Sequence, residues 1–224
     1  MGASHSDYIL NALMAGSRQA LFDEVWAINA MGGVIDCDRI FMMDGPSYLM
    51  NDTKGMNDDC SGYAGFIRNT KVPIYTAFAE PDVAPTSVAY PLEFVLKDIK
   101  YPYLNTTVAY TLALAIAEGI PEISLYGCDF TYADKHASES GRGCVEFLIG
   151  IAVSRGIKIN VAASSTLLDS NCQDKFYAYG GRVKLVPTED GSVKVEMENT
   201  NDSAVSSDGN VRKLERRSAD GHSG

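Results

Sequence analysis

Short continuous runs of apolar residues alternate with longer amphipathic stretches along most of the chain. Five of the runs are each typical of a parallel strand that is buried on both faces. They cover residues 24–28, 39–43, 72–76, 123–126 and 157–161. Helical periodicity covers residues 8–21, 58–68, 105–119 and 141–154, and Asn105 or Thr106 is the predicted N-cap of the third of these helices. We therefore predict an α/β fold, namely a Rossmann-like, mainly parallel sheet with helices on both faces.

The two ends of the chain depart from this alternation. A loop of small residues at 1–7 leads into the first helix, with Ser6 or Asp7 as a suitable N-cap. Such a loop normally follows a strand, so we expect this sheet to lack its first strand. Two runs in which apolar and polar residues alternate flank a turn at 189–191, and this pattern predicts a β-hairpin. Residues 199–224 are polar and charged without an apolar period, which predicts a disordered tail.

These patterns divide the chain into three predicted parts. Residues 1–176 are predicted to form a Rossmann-like domain, 177–198 a β-hairpin appendage and 199–224 the tail. Within the first part, residues 77–104 carry prolines at 81, 85, 91 and 102 and predict a loop-rich excursion or lid.

Composition narrows the classes of function. A net charge of −10 argues against a nucleic-acid binder or a nucleic-acid acceptor, because phosphate contacts need a basic face. A small phosphorylated ligand can still bind at a helix N-terminus. No apolar run is long enough to span a bilayer and no leader pattern opens the chain, so we expect a cytoplasmic protein without a membrane span. The five cysteines lack zinc spacing and predict buried free thiols.

Polar side chains follow several predicted strands, at the edge where parallel sheets bind ligands. Asn29 and Asp44 end the first two strands, and Asp129 lies in a Gly-x-Asp loop that begins at Gly127. Short polar side chains at these positions can hydrogen-bond a base or a ribose. Asn and Asp are also common turn formers and loop caps, and the residues alone leave both interpretations open.

A second group lies in the small-residue loop and in the polar segment after residue 130. Gly2 and Ser4 can cradle a phosphate, or they can mark an ordinary helix start. His136 lies in a polar loop, where an imidazole can take a proton from an attacking hydroxyl. Tyr132 can donate a hydrogen bond to a departing phosphate. A surface histidine without a catalytic role, and one tyrosine among 12, are the alternatives.

A metal site is not expected from the sequence. The only Asp-x-Asp pair, Asp36 and Asp38, precedes a predicted strand and so lies at the wrong end of the sheet. It is interpreted as a turn. The chain also lacks P-loop, Gly-x-Ser-x-Gly and His-Glu-x-x-His patterns. Chemistry that does not depend on a metal ion is therefore the more natural hypothesis.

Several motifs resemble the core of bacterial sialyltransferases that use a CMP-sugar donor. Thr-Thr-Val-Ala-Tyr at 106–110 is similar to their Thr-Ser-Gly-Val-Tyr helix start, and Gly-Cys-Asp-Phe at 127–130 to their Gly-Ile-Asp-Phe strand end. His136 precedes Val-Glu-Phe-Leu at 145–148 much as their catalytic histidine precedes Leu-Glu-Phe-Leu. Gly-Ala-Ser at 2–4, Asp-Gly-Pro-Ser at 44–47 and Ser-Thr-Leu-Leu at 165–168 extend the likeness. The same signature occurs in related phage and bacterial proteins of unknown function, in flagellin-modification proteins and in archaeal hydroxymethylpterin diphosphokinases.

The resemblance implies a metal-independent glycosyltransferase with a nucleotide-sugar donor, for which a CMP-linked sugar is one candidate. Its acceptor would be an unknown hydroxyl compound, and no further cofactor is implied. His136 would be the general base and Tyr132 would stabilise the leaving phosphate. The residues that would hold the nucleotide are Gly2, Ser4, Asn29, Asp44, Thr106, Thr107, Gly127 and Asp129.

Two other classes of function stay open at this stage. A diphosphokinase would use Mg²⁺ and ATP, with the ion held by Asp44 and Asp129. A non-catalytic protein would bind the nucleotide without turnover. A homo-oligomer is compatible with the sequence, and a phage-encoded protein would act in the cytoplasm of its bacterial host. Thr131 replaces the tyrosine expected after Gly-x-Asp-Phe, and the loop before His136 is shorter than in the sialyltransferases, which leaves the sugar and the acceptor open.

Overall fold

The computed structural model describes residues 4–48, 61–131, 133–172, 182–188 and 193–198. The chain divides into two compact units, Met1–Asn171 and Cys172–Gly224. Helices of the first unit are α1 (His5–Ala15), α2 (Ser61–Asn69), α3 (Leu92–Ile99), α4 (Thr107–Ala117) and α5 (Lys135–Ser154). Its strands are β1 (Trp26–Ile28), β2 (Arg39–Phe41), β3 (Ile74–Thr76), β4 (Ser87–Ala89), β5 (Glu122–Leu125) and β6 (Lys158–Val161).

The strands of the first unit are all parallel. β1, β2, β3 and β4 form a four-stranded sheet in that order, and β5 pairs with β6 in a separate two-stranded sheet. α2 lies between β2 and β3, α3 and α4 lie between β4 and β5, and α5 lies between β5 and β6, whereas turns without a helix join β3 to β4. The predicted α/β, Rossmann-like fold is confirmed.

Both faces of the four-stranded sheet carry a hydrophobic core. Successive residues of a strand point to opposite faces, so Phe41 of β2 joins a cluster with α3, α4 and α5, whereas Ile40 joins Ile67 of α2 on the other side. These side chains are fully buried. Continuous apolar runs are therefore needed in the strands, because each strand has two faces to bury.

The proline-containing segment 77–104 is more regular than predicted. It supplies β4, which extends the sheet beside β3, and α3, which packs on α4. Pro81 and Pro85 lie in the turns before β4, and Pro91 is the N-cap of α3. The prediction of a loop-rich segment was wrong at β4 and α3, because the prolines mark the boundaries of these short elements and do not interrupt them. A role as a lid stays a prediction.

The second unit contains the predicted hairpin. β7 (Arg182–Pro187) pairs antiparallel with β8 (Val193–Glu198), with Arg182 opposite Glu198 and Pro187 opposite Val193. The predicted tail at 199–224 lies outside the described residues. None of the described helices is long and apolar enough to cross a membrane.

Candidate functional site

An open cavity of about 350 Å³ lies where β1 and β2 end and α4 begins. That volume is in the range of small-molecule sites. The cavity brings together four of the residues predicted to hold a nucleotide, namely Asn29, Asp44, Thr106 and Thr107. Its other lining residues are Ile28, Met43, Leu104, Asn105, Val108 and Tyr110. The site therefore combines an apolar lining with a few polar groups, as ligand sites usually do.

Asn29 follows the last residue of β1 and has an unusual backbone conformation. Its φ is +50°, in the left-handed region that asparagine enters more readily than most residues. The side-chain oxygen Oδ1 is buried and has no hydrogen-bond partner among the described residues. Buried polar atoms are normally paired. An unpaired buried acceptor at a cavity is a candidate contact for a bound ligand.

The N-terminus of α4 forms the opposite side of the cavity. Thr106 is the N-cap, and its hydroxyl oxygen accepts a hydrogen bond of 3.2 Å from the Ala109 N–H, as the sequence predicted. The N–H groups at the start of a helix lack partners within the helix, and the helix dipole adds partial positive charge there. The first turn of α4 contains no acidic residue. This end of the cavity is therefore suited to an anion such as a phosphate.

Asp44 is an exposed residue in the loop after β2, at the rim of the cavity. Glu80 holds that loop in place, because its Oε2 accepts the Ser47 N–H at 3.0 Å. Between them, Gly45 has a φ of +86°, and a Cβ there would lie 2.5 Å from Glu80 Oε1. A glycine is thus required at this point of the loop.

Asp129 belongs to a second, buried group of residues. Its Oδ1 accepts the Ser4 hydroxyl at 2.8 Å and its Oδ2 accepts the Ser4 N–H at 2.6 Å. The Ser4 hydroxyl oxygen in turn accepts the Gly127 N–H at 2.9 Å. Burial tends to raise the pKa of Asp129, but hydrogen bonds from Ser165, Ser4 and Thr166 together lower it below its ordinary value. The carboxylate therefore ties the loops after β5 and β6 to the start of α1.

This second group corrects the predicted start of the first helix. Neither Ser6 nor Asp7 is the N-cap, because α1 begins at His5 with Ser4 in the N-cap position. The Ser4 side chain makes no capping bond within the helix, since it donates to Asp129. Ser4, Gly127 and Asp129 are thus placed together, in a group separate from the residues that line the cavity. Their predicted contact with a nucleotide stays a prediction.

His136 lies in the first turn of α5 and not in a loop, which corrects the sequence interpretation. Asp134 is the N-cap, and its Oδ1 accepts the His136 N–H at 2.9 Å and the Ala137 N–H at 3.2 Å. The aspartate starts the helix at Lys135, well before the apolar periodicity that the prediction followed. The His136 side chain is exposed. Tyr132 and Gly2, the other residues predicted for this site, lie outside the described residues.

One hydrogen bond connects the cavity to the helix that carries His136. Asn105, which lines the cavity, donates from Nδ2 to Ser140 Oγ at 3.1 Å. Ser140 is four residues after His136, so the two lie on one face of α5, about 6 Å apart along its axis. His136 is therefore one helical turn from a residue that contacts the rim. Sequence analysis considered Asn105 only as a helix cap and missed this contact.

The Asp-x-Asp pair, which the sequence analysis interpreted as a turn, binds Arg18 in the segment ahead of β2. Asp36 and Asp38 accept hydrogen bonds from Arg18 at 2.6 and 2.7 Å, and Asp38 also accepts the Val25 N–H. Both aspartates precede β2. Elsewhere in the described part of the chain, no group of three or more His, Cys, Asp and Glu side chains is placed to hold a metal ion.

Comparison of the chain with protein-family models, with curated proteins and with solved structures finds no match.

Proposed function

We propose that this protein is a metal-independent glycosyltransferase that uses a nucleotide-sugar donor, with a CMP-linked sugar as the first candidate. The observation that carries the proposal is the cavity between the end of β1 and the start of α4. It combines the unpaired Oδ1 of Asn29 with a helix N-terminus whose first turn has no acid.

The two sides of the cavity suit the two ends of a nucleotide. The carboxamide of Asn29 offers an acceptor to an exocyclic amine of a base or to a ribose hydroxyl. The first turn of α4, at Thr106 and Thr107, suits the phosphate. Apolar contacts from Ile28, Met43 and Leu104 line the space between these groups. The same carboxamide also has N–H donors on Nδ2, so it can pair with an amine or with a carbonyl of the base.

His136 is the proposed general base. The acceptor hydroxyl attacks the anomeric carbon of the donor while the imidazole takes its proton, and the bond from that carbon to the phosphate oxygen breaks. The nucleotide then leaves as a phosphate monoester, held at the start of α4. A base of this kind contributes about 10²- to 10⁴-fold to the rate. The exposed position of His136 gives access to an acceptor from solvent.

The arrangement of the carboxylates favours this proposal over the diphosphokinase. That alternative needs Asp44 and Asp129 to share a magnesium ion. Both oxygens of Asp129 already accept hydrogen bonds from Ser4, in the buried group, whereas Asp44 lies at the rim of the cavity. A non-catalytic binding protein would bind the same nucleotide, so only a measurement of turnover distinguishes it from the proposed transferase.

A thermal-shift panel with CMP, CDP, UDP, GDP and ATP, each with and without Mg²⁺, tests the proposal. A ligand at about 100 times its Kd stabilises the fold by about 2.7 kcal/mol, which raises Tm by several degrees. We expect the largest shift with CMP and the same shift without Mg²⁺. A shift that appears only with ATP and Mg²⁺ would instead support the diphosphokinase, and no shift with any nucleotide would contradict both.

A further inference from the structure

The first helix is attached to the protein through the polar and aromatic side of its surface. Asp7 accepts the Ser164 hydroxyl at 2.9 Å, and Asn11 donates from Nδ2 to the Tyr126 hydroxyl oxygen at 3.3 Å. Tyr8 packs edge-on against the ring of Tyr126, with the ring centroids 5.7 Å apart. Residues 7, 8 and 11 share one face of a helix. These contacts therefore fix which face of α1 is turned toward the protein.

The outward face of α1 is apolar. Ile9, Leu10, Leu13 and Met14 are 41%, 57%, 72% and 86% exposed, and no residue of the helix is buried. Their spacing of i, i+1, i+4 and i+5 joins them into one surface, the α1 patch. An amphipathic helix normally turns its apolar face toward the core. α1 has the reverse orientation, and a contiguous apolar patch that is turned outward marks an interaction site.

Charge distinguishes the α1 patch from the rest of an acidic chain. The net charge is −10, so two copies repel each other wherever their acidic surfaces meet. α1 has no lysine or arginine, and its one acid, Asp7, lies on the attached face. Contact through the α1 patch therefore brings no like charges together. The lack of basic residues also argues against an anionic membrane or a nucleic acid, because both bind basic surfaces.

We propose that the α1 patch is the interface of a homodimer, in which α1 packs antiparallel against α1 of a second copy. A two-fold axis near Leu13 places the same side chains on both sides of the interface, as an isologous dimer requires. The patch consists of aliphatic side chains and a thioether, so no polar group in it selects a partner of different chemistry. A second copy supplies an equal apolar surface.

The size of the α1 patch sets the strength of the dimer. From their exposed fractions, the four side chains offer on the order of 500 Å² per copy, or about 1,000 Å² in the pair. That area is at the lower end for a specific interface between proteins. We therefore expect a dissociation constant in the micromolar range, with monomer and dimer in rapid exchange.

Sedimentation equilibrium of the full chain, between about 1 µM and about 1 mM, tests the proposal. We expect a monomer–dimer equilibrium that shifts toward the dimer at high salt, because added ions screen the repulsion between two acidic copies. A monomer over the whole range of concentration would overturn the proposal. A dimer that dissociates at high salt would also overturn it, because such a dimer would be held by charges that the α1 patch lacks.

A substitution in the α1 patch tests its place in the interface. Leu13→Glu is expected to raise the dissociation constant about 100-fold, because two carboxylates would meet near the two-fold axis. Val153→Glu is the matched control, since Val153 is 58% exposed on α5, and it should leave the equilibrium unchanged. Both variants should keep the parent Tm at about 1 µM, where all three proteins are monomers. A Leu13→Glu protein that dimerises as the parent does would overturn the proposal.

A mixture of two charged variants tests whether the occupant is a second copy. Leu13→Glu and Leu13→Lys are each expected to be monomeric, because each would bring like charges together at the axis. An equimolar mixture is expected to regain the dimer, because a glutamate then faces a lysine across the interface. A mixture that stays monomeric would overturn the antiparallel pairing of the two helices.

Discussion

The Asn105 side chain donates from Nδ2 to Ser140 Oγ at 3.1 Å, across the junction between the cavity rim and α5. Asn105 directly precedes the N-cap of α4, and Ser140 lies one helical turn after His136. The bond therefore links the proposed phosphate site to the helix that carries the proposed base. It is one of the contacts between α5 and the start of α4, beside the close packing of Gly141 on Thr106.

We expect this bond to matter more for catalysis than for folding. Removing it through Asn105→Ala or Ser140→Ala should lower the free energy of unfolding by only about 1 kcal/mol, because it is an exposed hydrogen bond. If it orients His136, each change should reduce kcat by about tenfold or more, since small displacements of a catalytic group are costly. The double variant should be no worse than the single ones. Fully additive losses in kcat would show that the two side chains act separately.

The role of His136 can be tested directly. His136→Ala is expected to reduce turnover about 10²- to 10⁴-fold and to leave nucleotide affinity unchanged. The comparison variant Lys135→Ala lies in the same exposed turn of α5 and should keep full turnover. Steady-state rates and calorimetric titration measure the two quantities. Wild-type turnover in the His136→Ala protein would remove the residue from the mechanism.

The contribution of Asn29 to nucleotide binding can be separated from its backbone strain. Asn29→Gly removes the carboxamide while glycine accepts the φ of +50° without strain, so the fold should be as stable or more stable. We expect nucleotide affinity to fall about tenfold, as for loss of one hydrogen bond to a ligand. Lys100→Gly is the matched control, because Lys100 also has a positive φ, +63°, and lies at the end of α3. Equal affinities in all three proteins would contradict the assignment.

The packing of α5 on the start of α4 depends on Gly141. A Cβ at this residue would lie 2.8 Å from Thr106 Cγ2 and 3.0 Å from a carbon of Phe130. Gly141→Ala should therefore lower the free energy of unfolding by about 1–3 kcal/mol and displace the N-cap threonine of the cavity. Gly150→Ala, in the same helix with nothing within 4 Å, should raise it by about 0.5–1 kcal/mol. Denaturant unfolding measures both, and a neutral Gly141→Ala would contradict the close packing.

The buried carboxylate of Asp129 makes the stability of the fold depend on pH. Its pKa is lower in the folded protein than in the unfolded chain, so its stabilising contribution is full above the unfolded value and is lost as the pH falls through the folded one. Melting curves between pH 7 and about pH 3 should therefore show a loss of stability that is smaller in the Asp129→Asn variant, while Asp38, whose pKa is also lowered by a hydrogen bond from Arg18, still contributes. That variant should also be less stable at pH 7, because the amide group presents hydrogens to donors on Ser4. Asp82→Asn, on an exposed turn, should behave as the wild type.

Local signals in the sequence were sufficient for most of the elements, although β4 and α3 in the proline-containing segment were missed. Continuous apolar runs predicted the parallel strands, because a strand with two covered faces has no polar side to display. Thr106 predicted the start of α4, since its hydroxyl caps an N–H only three residues away. The hairpin was predicted for the same reason, because its two paired strands are close together in the sequence. Where a local signal was overlooked, as with Asp134 ahead of α5, the boundary was misplaced and His136 was assigned to a loop.

Tertiary structure decided which of the predicted residues share one cavity and which do not. Asn29, Asp44 and Thr106 meet in one cavity because parallel strands bring their carboxyl ends to the same edge, whereas Asp129 turns to Ser4, more than a hundred residues away in sequence. The sequence also did not predict that the strands form two sheets. Strand pairing joins segments that are distant along the chain, and no local sequence pattern shows which strands pair. A sequence encodes its helices and strands in neighbouring residues. The partners of Asn29 and Asp129 depend on how those elements pack together.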